Sequence, residues 1–508
     1  MGFINAWKGL FTPGELNPTV LPTPRRRMYG GAQTGRLLSD WVASATSADA
    51  EIKSSIKRLR QRSRQLIRDN AFARNAVRSI TSNVIGPSGI KLQAQVRQQR
   101  GSKLNKKIND QIEMAWREWG RYDSAHTAGR LCFSDIEKLV CSSLCESGEV
   151  FVRIVRKPFG RSSIPFSLEI LEADQLDDDY NGPARSKKNS WRMGIEHDGF
   201  GRPVQYAFLT AHPGDTPFPS QPGAKRHMLL PAADIIHLFI QERPGQTRGV
   251  PWTSSILKPL HQLDGFAESS LVRARASSAL MGFITNQEGE LDPGGEVYEE
   301  ERVTSFEPGT FHYLNQNESV TVPDMDSPSG EFEPFMRAML RQMAAGIGLS
   351  YTAISKDYSQ SNYSSSRLAL IEDREQFKSL QKYFIEVFHS RVFEAWIEMA
   401  VLSNNLDLPN YESDGDRYKR VKWVTKGQPW IDPLREVEAL KDAVRCGFKT
   451  QREVLAEQGL DLDDVMTSLS EEREIAESYQ LVLDIDPAKV SNAGLTQARP
   501  SGTQLPDP

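Results

Sequence analysis

The sequence predicts an α+β protein built on long helices, and three patterns carry that reading. Residues 52–80 repeat apolar side chains at three-and-four spacing, and residues 150–239 hold runs that alternate every second position. Residues 364–402 keep one apolar stripe over nearly forty positions. At 508 residues the chain has room for about three domains. Its 39% hydrophobic and 25% charged residues are an ordinary globular mixture.

Residues 1–49 read as a flexible arm, with Pro13, Pro18, Pro22 and Pro24 ahead of Arg25-Arg26-Arg27 and Gly30-Gly31. A single helix is expected over residues 50–84, with Ile52, Ile56, Leu59, Leu66, Ala73, Val77 and Ile80 on one stripe. Its other faces carry Lys53, Lys57, Arg58, Arg60, Arg62, Arg64, Arg68, Arg74 and Arg78 against Glu51 and Asp69. Nine positive charges repel one another unless carboxylates or other anions answer them. An acidic surface of a neighbouring subunit, plain solvation and nucleic acid are the three ways to satisfy them. Gly86-Pro87-Ser88-Gly89 stops the helix.

Two further helices are expected over residues 103–120 and 134–145. The period then becomes two over residues 150–155, 166–171, 204–209 and 234–239, which read as strands. Asp198-Gly199-Phe200-Gly201 supplies a hairpin turn. Helical character returns over residues 251–280. A helix over residues 331–346 puts Phe332, Phe335, Met336, Met339, Leu340 and Met343 on one stripe, and Arg337 and Arg341 stand one turn apart beside it. Those arginines read either as a solvated face or as weak, sliding contacts for phosphates. A polar loop over residues 347–363 follows, with Tyr351, Lys356, Asp357, Tyr358, Gln360 and Asn362. The helix after it, residues 364–402, would reach about 55–60 Å at 1.5 Å per residue, and a helix that long needs a large assembly around it. Asp432-Pro433 and the Thr450/Glu453 pair open short C-terminal helices, which Gly447 and Gly459 close. Residues 486–508 read as a disordered tail.

Recognisable enzyme chemistry is missing. There is no G-x-x-x-x-G-K-[ST] loop, no H-E-x-x-H and no G-x-S-x-G, and the eight histidines include no i,i+4 pair. The carboxylate run Asp174, Asp177, Asp178 and Asp179 lacks the spaced donors and internal glycine of a calcium loop and reads as an acidic surface turn. Cys132, Cys141, Cys145 and Cys446 do not have zinc-module spacing and read as buried thiols. Trp116, Trp119, Trp252, Trp396, Trp423 and Trp430 fall at helix-face or turn positions that favour packing over base stacking. The net charge of −4 excludes a chain that grips nucleic acid over its whole surface. No signal peptide and no run of 18 apolar residues is visible, so the expectation is synthesis and folding in the cytoplasm, away from membranes.

Five segments, in order, carry a family resemblance. They are Leu66-Ile67-Arg68-Asp69-Asn70-Ala71-Phe72-Ala73-Arg74-Asn75-Ala76-Val77 with Asn83-Val84-Ile85-Gly86; Gly194-Ile195-Glu196-His197-Asp198-Gly199-Phe200-Gly201-Arg202-Pro203; Ile236-His237-Leu238-Phe239 running into Arg243-Pro244-Gly245-Gln246-Thr247-Arg248-Gly249; Ala344-Ala345-Gly346-Ile347-Gly348-Leu349-Ser350-Tyr351 with Asp357-Tyr358-Ser359-Gln360-Ser361-Asn362-Tyr363; and Ile431-Asp432-Pro433 with Gly447-Phe448-Lys449-Thr450. In this order the chain resembles the lambda-type family of tailed-phage portal proteins over about residues 25–470.

The resemblance implies a non-enzymatic protein without catalytic, cofactor or metal sites, forming a ring of about twelve copies at one capsid vertex. It implies a portal fold: an α/β wing over residues 50–284, a helical stem and small β-containing clip over 285–347, and a channel loop over 348–363. A long spine helix would follow over 364–404, then a helical crown over 405–485. Lys356, Tyr358, Gln360, Asn362, Arg337 and Arg341 become candidates to face DNA in the channel. Phe332, Phe335, Met336, Met339 and Met343 become candidates for packing between subunits. Implied partners are other copies of the chain, the large terminase subunit, the major capsid and scaffold proteins, head-completion and tail-connector proteins, and double-stranded DNA read without sequence specificity. The implied location is the virion, after assembly in the host cytoplasm. A different head-tail structural protein without a conduit, or a metal-dependent nuclease on Asp174 and Asp177–Asp179, would be the alternatives.

Overall fold

A computed structural model of the chain describes residues 36, 43, 45–98, 104–215, 226–278, 283–286, 318–321, 332–359, 362–427, 433–458, 460–479 and 481. Residues 1–47 and 48–508 are separate units, and every element below lies in the second.

The single helix expected over residues 50–84 is two helices, α1 (Ala48–Asp69) and α2 (Ala71–Val84). Asn70 breaks it. Its backbone is extended, and its side-chain oxygen accepts from the Phe72 and Ala73 N–H groups at 2.9 Å each. This is an N-cap placed inside a continuous apolar pattern, so periodicity alone ran through it. Strand β1 (Lys91–Ala94) follows, then α3 (Lys106–Trp119) and α4 (Phe133–Ser147), which ends on left-handed Gly148. A Cβ at Gly148 would lie 2.1 Å from the Val250 carbonyl carbon, so only glycine fits there.

Next come β2 (Glu149–Val155), β3 (Ser167–Leu171), β4 (Gly182–Pro183), β5 (Ser190–Arg192), β6 (Ile195–His197), β7 (Pro203–Leu209), β8 (His227–Pro231) and β9 (Ile235–Phe239). They form two antiparallel sheets, ordered β3-β2-β9 and β4-β5-β6-β7-β8. Between the sheets lie Phe151, Leu171, Leu176, Ile195, Tyr206, Phe208, Leu230 and Ile235. The β6–β7 hairpin turns at residues 198–202, as its Asp-Gly sequence requires.

The chain continues through α5 (Leu257–Ser278), the pair β10 (Phe283–Asn286) and β11 (Glu318–Thr321), then α6 (Phe332–Ile347) and α7 (Tyr351–Ser355). Helix α8 (Tyr363–Phe384) runs through a π turn at Ile385–His389 into α9 (Ser390–Leu402), giving the long helix the pattern predicted. After α10 (Tyr411–Tyr418), strand β12 (Val421–Val424) pairs antiparallel with β1, and α11 (Pro433–Arg445), α12 (Gln451–Glu457) and α13 (Leu462–Ser478) close the chain. The Thr450/Glu453 capping box is formed. Asp432, Gly459 and Trp430 lie outside the described residues.

One aromatic cluster joins distant elements. Trp116 meets Trp119 at 4.8 Å, Trp396 at 5.0 Å, Phe393 at 5.7 Å and Trp423 at 6.0 Å, and Trp119 Nε1 donates to the Phe166 carbonyl at 2.8 Å. These indoles are core, as their positions suggested. The expectation of buried thiols holds for Cys141 and Cys145; Cys132 is half-buried and Cys446 is exposed. Among the described residues no helix is long and apolar enough to cross a membrane.

Candidate nucleic-acid interface

The polar loop expected over residues 347–363 is more ordered than its composition suggests. Gly348 leaves α6 at φ +75°, and a Cβ there would meet the Gln376 amide nitrogen at 2.6 Å. Ser350 then caps α7, and Ile354 roots that short helix in the core at 3% exposure. Two side chains pin the loop to the body, and a third ties α8 to the end of α2. Asp373 of α8 accepts from the Ser350 N–H at 2.8 Å and from its hydroxyl at 2.6 Å. Asn75 of α2 donates to the Ala353 and Ile354 carbonyls at 2.8 and 2.7 Å. Gln381 of α8 donates to the Asn83 and Val84 carbonyls, both at 3.1 Å.

Lys356 ends α7 in the left-handed conformation at φ +57° and is exposed. Asp357 closes the turn, accepting from the Ser359 hydroxyl at 2.6 Å, the Ser359 N–H at 2.9 Å and the Tyr351 hydroxyl at 2.8 Å. Those donors push its pKa down to about 2. Tyr358 is exposed at the tip. Asn362 caps α8, its Oδ1 accepting from the Ser365 N–H at 2.7 Å. Gln360 lies outside the described residues.

The two arginines of α6 have local partners. Arg337 pairs with Glu333 one turn earlier, and Arg341 lies over the Tyr351 ring at 5.6 Å. Along the apolar stripe, Phe332 stacks on Phe266 of α5 at 5.7 Å, and Phe335 meets the same ring at a tilt at 4.6 Å. Met336 and Met339 are partly buried, and Phe335 remains 43% exposed. Met343 is 1% exposed and already enclosed by its own chain.

The basic helix and the acidic run answer each other within one chain. Arg60 is fully buried and reaches Glu149, and it lies 3.4 Å from both Asp174 and Asp178. Arg64 pairs with Asp174, and Lys57 meets Asp179 at 2.6 Å. Arg248, also fully buried, contacts Glu149 at 2.6 Å and Asp178 at 2.5 Å. His227 meets Asp177 at 2.7 Å, and His237 meets Glu149 at 3.0 Å. Burial alone would raise the pKa of Glu149, but Arg248, then Arg60 and His237, hold it well below the carboxylate range. The acidic surface turn is therefore half interior: Asp178 is 5% exposed, because buried guanidinium groups need carboxylates beside them. Glu172, Asp174 and His212 are the one group among the described residues close enough to share a cation. The two arginines on Asp174 oppose a positive ion there.

Asn75, Arg248 and Asp373 were not singled out from the sequence, although Asn75 and Arg248 lie inside the quoted signatures. A glutamate facing two arginines is visible only once the strands are folded.

Comparison with known proteins adds the rest. The family model described as phage portal protein, lambda family, matches residues 34–381. The probable portal protein of Halomonas phage phiHAP-1 is 28% identical over 467 residues, 91% of this chain and 88% of that protein. Portal protein B of Escherichia phage lambda is 22% identical over 482 residues, 86% of this chain and 87% of that one. Among solved structures, a chain from the neck of an empty gene transfer agent particle computed with C6 symmetry is 15% identical, with a TM-score of 0.43 over 84% of this chain and 99% of that one. With its ordered signatures and a family match across most of its length, this chain belongs to the lambda family of phage portal proteins.

Proposed function

We propose that the chain is the subunit of a closed ring of about twelve copies at one capsid vertex, through which double-stranded DNA is packaged and later ejected. The observation that carries this reading is the family match across residues 34–381. In this reading residues 50–284 form the wing, 285–347 the stem and clip, 348–363 the channel loop, 364–404 the spine helix and 405–485 the crown. Lys356 and Tyr358 are the described side chains best presented to DNA, since both are exposed at the tip of a loop held at its base. Asn362, Arg337 and Arg341 have structural partners and would stand behind them. Loose, sequence-independent contact suits a conduit, because firm phosphate contacts would stall a moving duplex. The terminase large subunit would dock at the clip and head-completion and tail-connector proteins would replace it, with capsid and scaffold proteins around the wing. The assembled particle is the virion, built in the host cytoplasm.

Phe332, Phe335, Met336 and Met339 are the stripe residues with surface left to meet a second copy. Electron microscopy and native mass spectrometry of the purified chain should show rings of about a dozen subunits with an axial hole wide enough for a duplex. A chain that stays monomeric or dimeric across salt and concentration would overturn the reading. Met339→Glu should disperse the rings, and normally sized rings from that variant would remove this stripe from the interface.

A further inference from the structure

One cleft, of about 630 Å³, opens between the two sheets near the β6–β7 hairpin and the loop after β9. Its lining includes Arg192, His197, Phe200, Tyr206, His237 and Arg391, and it contains no carboxylate. That composition is unusual in a chain whose acids outnumber its bases, 66 to 62. Elsewhere in this wing the buried cations are matched by carboxylates, as Arg60 and Arg248 are by Glu149 and Asp178. Arg192 is exposed and Arg391 half-buried, and among the described residues neither has a carboxylate within ion-pair distance.

One further polar group in the cleft is buried and unmatched. His197 is 6% exposed, and its Nδ1 is buried without a hydrogen-bond partner. Burial and the nearby Arg192 both disfavour its imidazolium. The nearby acids are already engaged. Asp49 accepts from the Thr247 N–H at 2.9 Å and hydroxyl at 3.1 Å, and Asp198 accepts from the Phe200 and Arg202 N–H groups at 2.8 Å each. A buried polar atom left unpaired costs free energy, and a partner that arrives on binding recovers it.

At the rim, Phe200 stands 93% exposed on the hairpin tip. A large aromatic held in water beside two guanidinium groups that no carboxylate among the described residues pairs is the combination that anchors polypeptide contacts, where aromatic and arginine side chains carry most of the binding energy. We propose that this cleft is a docking site for an acidic polypeptide segment of a partner protein, with carboxylates on Arg192 and Arg391 and an apolar side chain against Phe200. Cleft size and rim aromatic favour a peptide over a bare anion, which would fill only a corner of the volume. The site goes beyond the ring reading and does not depend on it.

The test uses the full-length chain and two fluorescein-labelled peptides, Asp-Glu-Phe-Asp-Glu and its amide counterpart Asn-Gln-Phe-Asn-Gln. Anisotropy titrations should show the acidic peptide binding at least about ten-fold more tightly, with the preference falling as salt rises. Arg192→Ala combined with Arg391→Ala should abolish the preference, whereas Arg192→Lys with Arg391→Lys should keep part of it. Phe200→Ala should weaken both peptides alike. Equal binding of the two peptides, or an unchanged preference in the double alanine variant, overturns the proposal. So does displacement of the peptide by inorganic phosphate at equal concentration, which would make this a small-anion site. Native mass spectrometry runs alongside: loss of rings in both the alanine and the lysine pairs would mean that the cleft seats a second copy, and would also overturn it. A wild-type chain that forms no ring but binds the acidic peptide sinks the ring reading alone.

Discussion

Glu149 is fully buried and still ionised, because Arg248, Arg60 and His237 surround it more closely than water would. Its folded pKa lies below the unfolded value of about 4.3. The stabilisation is therefore complete above that value and is lost as pH falls toward the folded pKa. Glu149→Gln would leave two buried guanidinium groups short of charge and should cost about 3–5 kcal/mol at neutral pH. Urea unfolding at about pH 7, 5 and 3 checks this: the wild type should weaken over the lower interval more than the variant does, and parallel curves would refute the assignment. Asn75 acts by hydrogen bonding alone. Asn75→Ala should cost roughly 1–2 kcal/mol and speed amide exchange over residues 351–359, leaving α8 unchanged; unaltered exchange in the loop would show that Asn75 does not pin it. The sequence showed both halves of the charge cluster without joining them. Arg60 and Asp178 stand 118 residues apart, and no local period links a helix to a turn at that distance.

The long helix shows what a periodic pattern reveals and what it hides. Phe377 and Leu380 fit ordinary helical spacing, but Phe384, Phe388, Val392 and Trp396 step by four. On a regular helix each four-residue step rotates the stripe by about 40°, so a run of such steps walks off the core. The π turn at Ile385–His389 absorbs the drift, and Phe384, Phe388, Val392 and Trp396 are all at most 1% exposed. The same turn brings His389 into the core, where Nε2 meets Glu137 at 2.5 Å and Nδ1 meets the Phe384 carbonyl at 3.1 Å. Glu137 also accepts from the Ile90 N–H at 3.2 Å, tying α4 to the segment before β1. Removing either partner strands the other, so His389→Leu and Glu137→Leu should each cost about 2–4 kcal/mol, and together much less than their sum. A double-mutant cycle by urea unfolding reads the coupling, and additive effects would mean the two groups stand independently. Helical segments longer than ten residues were legible because several turns repeat the signal, although the break at Asn70 between α1 and α2 was not. Strands β4, β5 and β6 were not, since two or three residues hold no period to read.

At the scale of the described molecule, the largest apolar cluster crosses the regions that the family resemblance implies. A single apolar cluster runs from Ala73 in α2 through α3, α4, α6 and the long helix to Tyr418 in α10. Composition offers no seam inside it, so that layout came from family resemblance and not from the hydrophobic pattern. Strand β12 closes this cluster late in the chain: it pairs with β1 across 91–94 and 421–424, and it places Trp423 against Trp116, Phe393 and His389. Beyond it, Ala476 is the one apolar side chain below a tenth exposed among the described residues. The two sides of β12 should therefore respond differently to truncation. A chain ending at residue 427 keeps the β1–β12 pair and should melt within a few degrees of the full length. A chain ending at residue 419 loses that pair and the Trp423 contacts, and should melt about 10 °C lower or aggregate on purification. Thermal melts of the two chains at equal concentration decide it. Equal midpoints would mean that β12 only lies on a body already closed by α9, and that the aromatic cluster holds without its last ring.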